Sequence, residues 1–197
     1  MGPGDSQSSP AATPFPDDDW DGLLERNLPA VQTFARMNLD PQLRSREAVS
    51  DIVQSTFGEV LAARERIRFE SDEAFRAYLH TCVTRKILDK KRYWNRGRRE
   101  SRRVYSLETE GLHLSGILRS PSANSPSAIF VRGEQIQRLQ DAFDQLGERE
   151  KQLFSMRFIF GLQATHIGSE LGTPESSVRK ELARLQLTLI EILGPLD

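Results

Sequence analysis

The sequence predicts an all-α fold in two helical lobes joined by a flexible linker. Apolar residues recur at three-and-four spacing in segment after segment, and no run alternates with period two and β-branched enrichment. Proline is absent from 42 to 120 and again from 127 to 173, which marks two helix-compatible blocks. Between them lies a stretch rich in Ser, Pro, Gly and Asn around Ser115–Ser127, which reads as a linker. The expected organisation is a disordered acidic tail over 1–20, a first lobe over 21–106, a linker over 107–128 and a second lobe over 129–197.

Four of the ten prolines fall within the first 16 residues, among Gly, Ser and Asp. Such a stretch cannot bury enough apolar surface to offset its ordering entropy. Leu23, Leu24, Leu28, Val31 and Phe34 then suggest an opening amphipathic helix, with Pro29 a possible break. Val49, Ile52, Val53, Phe57, Val60 and Leu61 form a second stripe, and its opposite face carries Asp51, Gln54, Ser55 and Glu59. Ser71 is placed to cap a third helix whose first turn holds Asp72 and Glu73, favourable beside the positive end of the helix dipole. Phe75, Leu79, Cys82 or Val83, Ile87 and Leu88 are its expected buried face.

In the second block Ile136, Leu139, Phe143 and Leu146 mark one helix. Leu153, Phe154, Phe158 and Ile159 mark another, with Gly147 and Gly161 as stops. Ala164, Ile167 and Leu171 then lead to Gly172-Thr173-Pro174, followed by Val178, Leu182, Leu185, Leu189 and Ile192 at spacings of 4, 3, 4 and 3. Gly172 suits a left-handed helix end, Thr173 a capping hydroxyl and Pro174 a first helical position. Two helices joined by a tight glycine turn describe a helix-turn-helix, although a plain helical hairpin has the same pattern.

Charge is segregated. The chain of 197 residues carries 27 bases and 28 acids, a formal net charge of −1. Residues 1–21 hold five acids and no base, whereas residues 85–103 hold ten bases against Asp89 and Glu100, a local +8. A stripe of that kind suits phosphates. Within it Lys86, Lys90, Lys91 and Arg92 are candidate phosphate contacts, and Tyr93 and Trp94 are flat faces on which an unpaired base can stack. A solvated basic helix end with both rings finishing the core fits the same composition. In the helix-turn-helix, Ser176, Ser177, Arg179, Lys180 and Arg184 lie at or beyond the leading end of the second helix, placed to face a major groove. Three bases against Glu175 and Glu181 are too few to hold DNA alone.

Other chemistries find little support. Cys82, the single cysteine, and the scattered His80, His113 and His166 give no disulfide framework and no zinc spacing. No catalytic constellation, phosphate-binding glycine loop or cofactor motif is present. Without an 18-residue apolar run or a leader, the protein is expected to be cytoplasmic and to bind neither a membrane nor a small-molecule substrate.

Asp51-Ile52-Val53-Gln54-Ser55-Thr56-Phe57, then Phe75-Arg76-Ala77-Tyr78-Leu79, then Asp89 followed by bases, resembles region two of bacterial sigma factors. Leu146-Gly147-Glu148-Arg149-Glu150, His166-Ile167-Gly168-Ser169-Glu170-Leu171-Gly172 and Ser176-Ser177-Val178-Arg179-Lys180-Glu181-Leu182-Ala183-Arg184 resemble region four. With two lobes, a short linker and no third region, the chain is similar to the extracytoplasmic-function group of the sigma-70 family over roughly 22–103 and 135–193. The resemblance implies a non-catalytic subunit that binds core RNA polymerase and promoter DNA, and family members are often held by an anti-sigma factor. It implies that Asp51, Gln54, Ser55 and Glu59 face the polymerase. It places a captured minus-ten base near Phe69–Asp72, with Arg76, Lys86, Lys90, Lys91 and Arg92 on the DNA backbone. The minus-thirty-five element then falls to Ser176, Ser177, Arg179, Lys180 and Arg184.

The sequence departs from the family in three places: His166 where Glu is usual, Glu181 where Arg is frequent, and Gln186 where a base is frequent. The last two remove positive charge from the reading helix. From Glu108 to Ala128 an extended linker reaches about 70 Å, or roughly 20 base pairs, so the lobes can sit well apart on DNA. The competing reading is a stand-alone helix-turn-helix regulator, which requires a dimer for which no heptad is visible.

Overall fold

The computed structural model describes residues 19–97 and 137–193, with side chains described to residue 95 in the first stretch. The acidic tail up to residue 18, the linker over 107–128, His113 and the bases beyond Asn95 lie outside the described residues. Among the described residues all regular structure is helical. The first lobe comprises α1 (Trp20–Asn38), the single turn α2 (Pro41–Arg44), α3 (Val49–Ala63) and the 26-residue α4 (Asp72–Gly97). The second comprises α5 (137–145), α6 (Glu148–Phe154) with a π-helical turn at Ser155–Ile159, α7 (Ala164–Leu171) and α8 (Glu175–Leu193).

Local chemistry accounts for most boundaries. Asp19 caps α1 by accepting from the Gly22 N–H at 3.0 Å. Pro29 does not split the helix: it lies within an unbroken α1. A proline forfeits only one intrahelical bond, here to Glu25 on the solvent side, and the burial of Leu23, Leu24, Val31 and Phe34 outweighs that loss. Asp40 caps α2 through the Leu43 N–H at 2.9 Å, a turn the periodicity did not predict. Ser71 accepts from the Ala74 N–H at 3.1 Å and starts α4 as expected.

The first core gathers Val31 and Phe34 of α1, Ile52 and Val60 of α3, and Phe75, Leu79, Val83 and Ile87 of α4. Leu88 is a correction: it is 45% exposed, because the faces against α1 and α3 take Val83 and Ile87 one turn apart and leave Leu88 pointing outward. The second core gathers Phe143, Leu153, Leu162, Ile167, Val178 and Leu185. Gly147 begins α6 instead of ending the preceding helix, with Glu150 reaching back to its N–H at 2.9 Å. Phe158, expected inside, is 41% exposed, since the π turn shifts the register at the end of α6.

The lobes are in contact. Phe160 of the second lobe is buried against Phe34 and His80 of the first, and the two cores form one continuous apolar cluster.

Candidate polymerase and nucleic-acid interface

The helix-turn-helix is built around two glycines. Gly172 has φ +60° and ends α7, a left-handed position that glycine takes without steric cost. Gly168 lets α7 approach the turn: a Cβ there would lie 2.6 Å from the Thr173 carbonyl oxygen. The Thr173 N–H donates back to the Gly168 carbonyl at 2.8 Å. The Thr173 hydroxyl does not cap α8 as the sequence suggested. It donates to the Leu171 carbonyl and accepts from Arg149, while the Pro174 carbonyl takes the first α8 bonds from Ser177 and Val178.

Arg149 ties the motif together. Its Nε donates to Glu181 at 2.8 Å and its Nη2 to Glu181 at 3.3 Å and Thr173 at 3.1 Å. The hydrogen bonds from Arg149 hold the Glu181 carboxyl below its ordinary pKa. Glu181, the departure in the reading helix, is therefore an internal anchor that sets α8 against α6. Ser176, Arg179, Lys180 and Arg184 are exposed along the leading half of α8, and Ser177 is half-buried. Arg179 also bonds Glu175 one turn back at 2.8 Å.

On α3, Asp51, Gln54 and Glu59 are exposed opposite the buried Ile52, Val53 and Val60. Ser55 is half-buried and its hydroxyl donates to the Ile52 carbonyl at 3.1 Å. These four residues form one polar face, away from the first core.

The described cations of the basic stripe are largely neutralised by acids. Lys86 pairs with Glu59 of α3, Lys91 with Asp40 at 3.6 Å, and Arg92 with Asp89 at 3.2 Å. The last two pairs are exposed and contribute about 0–1 kcal/mol, so a phosphate can displace the carboxylate at little cost, whereas the Lys86 side chain is only 16% exposed. Lys90 is held more firmly. Its ammonium donates to both oxygens of Glu47 at 2.9 Å, and the Trp94 Nε1–H donates to the same carboxylate at 2.8 Å. Glu47 is only 8% exposed. The Arg46 guanidinium covers one face of Trp94, 4.7 Å from the ring centroid. Trp94 is thus a half-buried tether, while Tyr93, packed edge-on against it, is 67% exposed and keeps an open face. Arg76 is half-buried and pairs with Asp72 at 3.6 Å. Phe69 lies against Trp20, Phe75 and Tyr78, fixing the loop before α4.

Glu47 and the role of Arg149 were not nominated from the sequence. Arg149 lies within the quoted region-four motif, whereas nothing around Glu47 signals that it meets residues more than forty positions away. Burial pushes the Cys82 thiol above its ordinary pKa, as suits a packing residue. Among the described residues no cluster of three His, Cys, Asp or Glu side chains is arranged to hold a metal ion. No helix of the described residues is long and apolar enough to cross a membrane.

A helix-turn-helix lobe with an exposed polar and basic reading helix, joined to a lobe with a separate polar face and a cation-bearing helix, defines a DNA-binding protein with room for a protein partner. Sigma-70 region 2 matches residues 23–99 and Sigma-70 region 4 matches residues 136–185. The two matches together span more than half of the chain, and the chain belongs to the sigma-70 family. It is an RNA polymerase sigma factor whose partners are core RNA polymerase and promoter DNA, with the two-region organisation of the extracytoplasmic-function group. Sigma factors generally act in initiation without catalysing a reaction.

Two solved structures are similar in fold. One is the sigma factor RpoE in complex with the anti-sigma factor NepR from Bartonella quintana, at TM-score 0.60 and 19% identity, over 89% of this chain and 96% of that one. The other is CnrH in complex with the cytosolic domain of CnrY, at TM-score 0.53 and 16% identity, over 88% of this chain and 86% of that one. No curated protein matches the sequence.

Proposed function

We propose a division of labour among three surfaces, carried by the exposure of α3's polar face and of α8's leading half beside well-packed cores. Asp51, Gln54, Ser55 and Glu59 dock on core polymerase. Ser176, Ser177, Arg179, Lys180 and Arg184 read the minus-thirty-five element, with Glu181 positioning the helix instead of touching a base. Arg76, Lys86, Lys91 and Arg92 contact the backbone at the minus-ten element, and Tyr93 supplies the exposed ring for an unpaired base. Lys90 and Trp94 serve by fixing the helix that carries them. The functional boundaries follow 21–106 and 129–197.

In this reading the protein contributes recognition and the polymerase contributes chemistry. The chain is not itself an enzyme, and it works in the cytoplasm where polymerase and promoter meet. An anti-sigma partner, of the kind that NepR is for the Bartonella quintana RpoE, is part of the proposal.

Replacing Asp51 and Gln54 with Ala tests the polymerase surface. Affinity for core enzyme should fall at least about tenfold, roughly 1.4 kcal/mol, while helix content and DNA contacts stay unchanged. Undiminished core binding would remove α3 from the interface.

A further inference from the structure

We propose that the free chain is held closed by a clasp between its lobes, in which Phe160 seats between Phe34 and His80, and that closure screens the α4 face bearing Arg76. Phe160 is 1% exposed. Its ring meets Phe34 at 5.6 Å and His80 at 5.2 Å, and those two meet at 5.1 Å, all three contacts edge-to-face. Two of the three rings belong to the first lobe and one to the second.

The chain is shaped to present that ring. The π turn at Ser155–Ile159 is followed directly by Phe160 and by Gly161 at φ +65°. The Leu162 N–H bonds the Met156 carbonyl at 2.9 Å, closing the bend, and Arg157 bonds the Leu162 carbonyl at 3.2 Å. A π turn and a left-handed glycine flanking one buried aromatic form a rigid knob.

A polar rim surrounds the knob. Glu73 of α4 accepts from the Gln163 N–H and lies 3.4 Å from His166 Nδ1, and Gln140 donates to the Met37 carbonyl at 3.4 Å. His166, another departure from the family pattern, therefore faces the first lobe. The junction covers one face of α4: Glu73 is bonded, Arg76 lies beside Gly161, His80 is packed, and Thr84 lines a recess with Met156.

The junction is also imperfectly satisfied. Thr84 Oγ1 on this α4 face and Ser155 Oγ in the π turn are buried without a hydrogen-bond partner in the protein, and Arg76 Nε, also buried, has only the Asp72 carboxylate at 3.6 Å, beyond hydrogen-bond distance. Buried polar atoms left unpaired favour the state that exposes them, so closure is opposed from within and is poised to open. The apolar knob holds the lobes together, and the unpaired groups limit how tightly. The consequence for DNA rests on the functional reading above, whereas closure itself does not.

The test uses the full chain in a Cys82→Ser background, spin-labelled through Ala62→Cys on α3 and Gln186→Cys on α8. Pulsed dipolar spectroscopy should give one narrow distance for the parent. Phe160→Ala, and separately Glu73→Lys, should broaden and lengthen it with helix content retained. Glu73→Lys acts from the first lobe, so it decides the matter should Phe160→Ala disturb the second. A broad distribution in the parent, or an unchanged one in folded Glu73→Lys, overturns the clasp. In parallel, anisotropy with a labelled single-stranded oligonucleotide should show roughly tenfold tighter binding by the opened variants. Opening without that gain overturns the screening of α4 and leaves the distance result standing on its own.

Discussion

His80 makes the stability of this protein depend on pH in a way the structure lets one calculate. It is 6% exposed, packed between Phe34 and Phe160, and burial lowers its pKa from 6.5 to about 4. The unfolded chain therefore binds a proton between those values that the folded chain resists. Stability is fully present above 6.5, falls as the pH drops below it, and stops falling below about 4. From about pH 7.5 to about pH 5 the loss from this one group comes to about 2 kcal/mol. Urea unfolding followed by far-ultraviolet circular dichroism across that range measures it. His80→Phe keeps an aromatic ring in the site and removes the proton, so the variant should lose about 2 kcal/mol less than the parent over the interval. Equal losses in the two proteins would refute the burial argument, since carboxylates and His166 are common to both.

Other perturbations test the site's construction. Glu47→Ala leaves the Lys90 ammonium and the Trp94 N–H without their shared acceptor and should destabilise the first lobe by about 2 kcal/mol, read as a lowered thermal midpoint and a red-shifted tryptophan emission. Gly168→Ala drives a Cβ against the Thr173 carbonyl and should cost the second lobe about 1–3 kcal/mol in a thermal melt. Arg149→Met should raise the Glu181 carboxyl pKa towards its ordinary value, visible in a side-chain carboxyl titration by nuclear magnetic resonance.

Most elements with a local signal were legible, the Thr173 hydroxyl being an exception. The stripe from Val49 to Leu61, the Ser71 cap and the Gly172 turn each depend on neighbours within four residues, and each is present in the structure. Pro29 misled because one missing hydrogen bond is weighed against tertiary burial that a local pattern does not contain. Leu88 misled because it stands one residue, about 100° of helical turn, beyond Ile87, and the arc covered by α1 and α3 ends before it. Trp94 reads from the sequence either as a stacking platform among bases or as a ring finishing the core. What decides its fate is Glu47, brought alongside by the fold and silent in the sequence. Glu181 appeared to weaken a reading helix until Arg149, 32 residues earlier, was seen to hold it. Contact between the lobes was the least legible feature. Phe160 stands outside the apolar stripe read from the sequence, and no local pattern shows that the π turn and Gly161 direct it to the other lobe.

The claim that the chain works as a polymerase subunit is tested most directly by run-off transcription with core RNA polymerase from the same organism, on templates carrying candidate promoters. Chain and core together should give discrete transcripts that neither gives alone, and Lys180→Glu with Arg184→Glu should abolish them without lowering core binding. Discrete protection of duplex DNA by the chain alone, with no transcript on addition of core, would contradict it.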